Sequence, residues 1–135
     1  MRVNQSVTLD KDKIYTSYFS KASKIFPKWR LVSISITSAQ VFDGSYAREL
    51  NPSKELLWAY KGGEIDNQEY IEWYTKTILD NLDPFEIYDK YKGKVMCCWE
   101  KSGEFCHRHI VLNWIAKHIG EGAIGGEIWC KTILG

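Results

Sequence analysis

Lys94-Val95-Met96-Cys97-Cys98-Trp99-Glu100-Lys101-Ser102-Gly103-Glu104-Phe105-Cys106-His107-Arg108-His109, running on to Ile119, contains the most readable junction of the chain. Val95 to Trp99 is a short apolar run of the size of a buried strand. Glu100 to Glu104 is polar, carries Ser102 and Gly103, and reads as a loop. From Phe105 to Ile119 the apolar residues Ile110, Val111, Trp114, Ile115 and Ile119 recur at helical spacing. A buried strand therefore runs through a short loop into a helix whose first turn carries Cys106, His107 and Arg108. Such a turn has unpaired backbone N–H groups and partial positive charge. It suits an anion and favours a thiolate. Arg108 is a cation at the unfavourable end of that dipole, so something negative is expected to answer it. A ligand anion, Glu100 and Glu104 are the alternatives.

Outward from this junction the chain keeps the same grammar. Ile14 to Phe19 reads as a first strand, and Ser20 as the cap of a short helix ending before Pro27. Leu31 to Ile36 reads as a second strand, with Ser33 and Ser35 on its polar face. Thr37 to Leu50 has no period and reads as a loop leaving the carboxyl end of that strand. Three helices follow. The first is capped by Asn51 with Pro52 at its first position and stopped by Gly62-Gly63. The second opens on the capping box Asp66/Glu69. The third opens on Asp83-Pro84, with Gly93 after its end. Gly120 to Gly126 reads as a turn and Glu127 to Cys130 as a last strand. The turn precedes a strand rather than a helix, so it is no phosphate loop. The order β-α-β-ααα-β-α-β implies one α/β domain over residues 1–135, a three-layer sandwich on a small, mostly parallel sheet. Residues 1–13 form a flexible or edge-forming lead-in.

The site candidates follow from where ligands sit in such sheets, at the carboxyl ends of the strands. Glu100, Cys106, His107 and Arg108 are the candidate catalytic residues. Tyr15, Ser17 and Ser35 on the first two strands, Tyr46 and Arg48 in the loop, and Cys98 at the end of the third strand are the candidate ligand contacts. Cys98 and Arg108 stand too far apart for a Cys-x5-Arg phosphatase loop, and no Cys-x-x-Cys is present. Neighbouring Cys97 and Cys98 would point to opposite faces of a strand, and no Cys-x2-Cys knuckle exists, so no metal and no cofactor is expected. His107, His109 and His118 share one helix, and no Ser-His-Asp triad can be assembled from them.

The Cys98-Trp99-Glu100 and Phe105-Cys106-His107-Arg108-His109 stretches resemble the signature of domain-of-unknown-function family 488. That signature is an apolar strand ending in Cys-x-Glu, a short Pro/Gly loop, and Cys-His-Arg opening a helix. Ile14 to Phe19 is similar to that family's first strand. Tyr46 to Tyr74 is similar to its middle helices, through Leu50-Asn51-Pro52-Ser53, Tyr60-Lys61-Gly62-Gly63 and Ile65-Asp66. The resemblance runs from about Lys13 to Ile119. It implies a small α/β fold and no settled activity.

Net charge is +1, which gives no bulk electrostatic drive toward nucleic acid or an anionic membrane. No apolar run approaches the roughly 20 residues that span a bilayer, and the first residues have no signal-like apolar core. With four cysteines, two of them adjacent, the chain fits no disulfide framework and reads as a reduced cytoplasmic protein. Six Trp, eight Tyr and five Phe are an unusual aromatic content; most are expected in the core, and one or two to face a ligand or partner. The expected function is binding of a nucleotide-like anionic small molecule at this strand–loop–helix site, with its processing left open. The alternatives are a non-catalytic module that captures such a molecule as a homodimer or other symmetric oligomer, and a thiol-dependent enzyme acting through Cys106.

Overall fold

The computed structural model describes residues 9–36, 44–99 and 104–128. Five strands form one all-parallel sheet: β1 (Ile14–Tyr18), β2 (Leu31–Ser33), β3 (Ser45–Tyr46), β4 (Val95–Cys98) and β5 (Ile124–Glu127), in the order β3-β2-β4-β1-β5. The helices are α1 (Phe19–Ile25), α2 (Lys54–Lys61), α3 (Asn67–Thr77), α4 (Pro84–Tyr91) and α5 (His107–Ile119). The expected three-layer α/β sandwich is what the chain forms.

The layers follow from strand alternation. Ile14, Val32, Met96 and Cys98 point to one face, where they pack with residues of α2, α3, α4 and α5. Tyr15, Leu31, Val95 and Cys97 point to the other, where they meet Phe19, Ala22 and Phe26 of α1 and its C-terminal flank. Cys97 and Cys98 therefore lie on opposite faces, as their adjacency requires. α1 leaves β1 on one face and α5 leaves β4 on the other. The carboxyl ends of these two central, neighbouring strands, paired at Tyr18 and Cys98, part at that point. Open α/β sheets place their ligands at such partings.

Several local expectations are corrected. α1 begins at Phe19, with Tyr18 at its N-cap and no side-chain cap from Ser20. α2 is capped by Ser53, whose hydroxyl accepts from Leu56 N–H at 3.1 Å, and not by Asn51. Asn51 serves the site instead. With its amide nitrogen toward them, it donates to the carbonyls of Ile34 (3.1 Å) and Ser35 (3.2 Å). The second strand stops at Ser33, and a short edge strand, Ser45–Tyr46, appears within the stretch read as loop. Residues 37–43 of that stretch lie outside the described residues, and Arg48–Leu50 forms a single 3₁₀ turn. The caps at Asp66/Glu69 and Asp83-Pro84 form as expected, and Gly93 takes the positive φ (84°) that ends α4 cleanly. Of the lead-in, residues 9–13 make a turn tied to the sheet, Asp10 N–H donating to Tyr15 Oη at 2.8 Å.

The last strand starts three residues early, taking in Gly125 and Gly126. Gly125 lies against the Tyr15 ring, beside an irregularity in the β1–β5 ladder, and a Cβ there would fall inside the ring's van der Waals envelope. Gly125→Ala is expected to cost about 1–3 kcal/mol in denaturant unfolding, the range for overpacking a tight contact. The same change at Gly122, where an added Cβ meets nothing within 4 Å, is expected to cost less.

Candidate functional site

β4 ends at Cys98 and α5 begins after Cys106, so both sulfurs arrive at one corner of the carboxyl edge. They are joined there as a disulfide, with Cα atoms 7.7 Å apart. The sequence expectation of four thiols is corrected at this pair. The end of β4 and the start of α5 meet here, a closure that sequence spacing does not display. Cys97, on the opposite face, is free and buried, and burial pushes its thiol up to about 12.

His107, the first residue of α5, is buried, and its ring is fixed by one strong contact. Nε2 stands 2.6 Å from the Ile34 carbonyl oxygen. A carbonyl only accepts, so Nε2 carries the proton. Burial, with the Arg108 charge beside it, lowers the ring's pKa to about 4 against the pull of that hydrogen bond. The imidazole is therefore neutral near pH 7, and Nδ1 presents a lone pair, 3.6 Å from Cys106 Sγ.

Arg108 is fully buried. Among the described residues, what answers it is Glu127 on β5. Nε donates to Oε1 at 3.1 Å and Nη2 to Oε2 at 2.8 Å, a bidentate pair. Glu127 Oε1 also accepts from Thr16 Oγ1 at 2.6 Å. The remaining arm, Nη1, donates to Cys98 Sγ at 2.9 Å. Arg108 thus acts on the corner through sulfur and lines no part of the cavity beside it.

That cavity holds about 560 Å³, within the usual span of small-molecule sites. Cys106 and His107, both buried, are part of its lining. Tyr60, Tyr70, Phe105 and Trp99 wall it, and Ser35, Lys61 and Glu104 supply polar groups. Phe105 packs on Tyr60 (5.2 Å between centroids) and edge-on against Tyr70 (5.1 Å), and Trp99, half exposed, meets Phe19 edge-on at 5.1 Å.

The structure brings Ser35, Cys98, Cys106, His107 and Arg108 together at this corner. The other candidates stand apart. Tyr15 and Ser17 are buried structural groups, Ser17 Oγ donating to the Ile128 carbonyl. Tyr46 and Arg48 pair with each other on the surface, guanidinium over ring at 4.9 Å, and do not line the cavity. Glu100 lies outside the described residues. Sequence reasoning missed Glu127, the aromatic wall and Lys61. A buried arginine needs a compensating partner, but the sequence does not say which carboxylate the sheet delivers.

Among the described residues no helix is long and apolar enough to cross a membrane. Compared with family models, curated proteins and solved structures, the chain finds a match in none of the three.

Proposed function

We propose that this protein binds a nucleotide-like small molecule, a flat ring bearing an anionic group, in the cavity beside Cys106 and His107, and acts on it there. The observation that carries the reading is the cavity itself, an aromatic-walled space of about 560 Å³ whose lining includes a neutral imidazole and a sulfur at a helix N-terminus. The aromatic rings offer stacking faces. The first turn of α5 and Lys61 favour the anionic end, while Glu104 sets a negative limit to one side. The resemblance of Cys98-to-Arg108 to family 488 fits a site at this corner and leaves the reaction open.

The test is a fluorescence titration with adenosine 5′-monophosphate, adenosine and ribose 5-phosphate, each mixture then checked by mass spectrometry. The monophosphate is expected to bind tightest. Lys61→Ala is expected to weaken it several-fold while sparing adenosine, and Trp99→Ala to weaken both ring-bearing compounds. Saturation by none of the three, or equal affinity in both variants, overturns the reading. Binding without a mass change retains the site and removes the catalytic half of the proposal.

A second reading, thiol-dependent chemistry, is favoured by the Arg108 contact to Cys98 Sγ, because a donor on sulfur stabilises thiolate. In the reduced protein Cys106, which lines the cavity, is expected to be alkylated by iodoacetamide well before Cys97, as peptide mapping would show. Equal rates at the two residues contradict it.

A further inference from the structure

We propose that Cys98, Cys106 and His107, with the sulfurs reduced, form a zinc-type metal site with three protein ligands and a fourth position open to the cavity. The three ligand atoms lie within 4.8 Å of one another, all on buried residues. Geometry singles out His107. Its Nε2–H is held by a backbone carbonyl, the support that orients metal-bound imidazoles and frees the other nitrogen to ligate. That nitrogen, Nδ1, faces Cys106 Sγ at 3.6 Å. Zn–N near 2.0–2.1 Å and Zn–S near 2.3 Å at a tetrahedral angle place N and S about 3.6 Å apart. The two sulfurs on such an ion would stand about 3.8 Å apart, and the Cα separation of 7.7 Å exceeds the roughly 4.4–6.8 Å over which disulfides are usually built. The backbone therefore already has room for the opened pair.

The charges also close. Two thiolates neutralise one divalent cation, and Arg108 is neutralised by Glu127, so the buried group carries no net charge. Arg108 Nη1 then serves as the outer hydrogen bond to a ligating sulfur. Cys106 and His107 line the cavity, which leaves the fourth position facing the space where a small molecule would sit. Two cysteines, one histidine and an open position is the donor set of a catalytic rather than a structural zinc. Of the adjacent cysteines only Cys98 ligates; Cys97, on the opposite face, takes no part. Loading is balanced as follows. Two electrons and two protons from a thiol reductant open the disulfide to two thiols, and zinc displaces both protons to solvent.

The site does not depend on which organic molecule fills the cavity, and its test uses none. The full chain is reduced anaerobically with dithiothreitol, desalted, and titrated with cobalt(II) and then zinc(II). One cobalt per chain is expected, with a thiolate-to-cobalt charge-transfer band that one equivalent of zinc abolishes. Cys106→Ser is expected to weaken the band and lower affinity at least tenfold. Cys97→Ser, on the opposite face, is expected to change neither. The wild-type spectrum reports the ligand set even if a variant misfolds. Cobalt bound without a thiolate band, no stoichiometric metal in the folded, reduced chain, or an unchanged band in Cys106→Ser overturns the proposal.

Discussion

Glu127→Ala is expected to destabilise the fold by about 3–5 kcal/mol, the cost of leaving a buried charge without its partner. Arg108 is fully buried, and its two strongest contacts are both to Glu127. With the carboxylate gone, the guanidinium keeps one sulfur contact at a helix N-terminus, where the dipole opposes it. The readout is the urea midpoint at constant slope. Replacing both residues at once, Arg108→Met with Glu127→Leu, is expected to recover much of the loss, because the burial cost is then removed with the charge. For comparison, Lys90→Ala breaks an exposed ion pair to Glu49 and is expected to cost about 0–1 kcal/mol. A loss below about 1 kcal/mol in Glu127→Ala would mean that water reaches Arg108.

Acid is expected to weaken the metal-free protein through His107. Its folded pKa, about 4, lies below the ordinary 6.5, so the unfolded chain takes up the proton first. The stabilisation is complete above about pH 6.5 and is lost progressively as pH falls toward 4. A shift of that size corresponds to about 3 kcal/mol over the window. Unfolding free energies from pH 7.5 to 4 are expected to fall accordingly in the wild type. In His107→Gln they are expected to fall by distinctly less, from a lower starting value. Parallel curves for the two proteins would show that the ring titrates normally and that the Ile34 contact does not hold it neutral.

Much of this corner could be read before folding. The apolar run to Cys98, the polar loop and the helical spacing after Phe105 place Cys106, His107 and Arg108 within a residue of where they stand, because strand alternation and helix period are local. Caps at Asp66 and Asp83 were legible for the same reason. Partners were not. Glu127 is 19 residues from Arg108, and Ile34 is 73 from His107; only the sheet order puts β5 and the end of β2 beside α5. Asn51 reads as a helix cap because capping chemistry is local, but the Ile34 and Ser35 carbonyls after β2 claim its amide. Tyr46 and Arg48 leave the expected edge of the sheet yet pair on the surface, since an edge strand of two residues carries them away from the cavity. Gly125 reads as a turn residue until Tyr15 is placed over it.

The most direct test of the central claim is amide chemical-shift mapping of the oxidised wild-type chain with adenosine 5′-monophosphate. The account predicts that the perturbed amides cluster on Ser35, Lys61, Tyr70, Phe105 and His107, the lining of one cavity reached from three separate parts of the sequence. Perturbations confined to the surface around Tyr46 and Arg48, or none at saturating nucleotide, would contradict it.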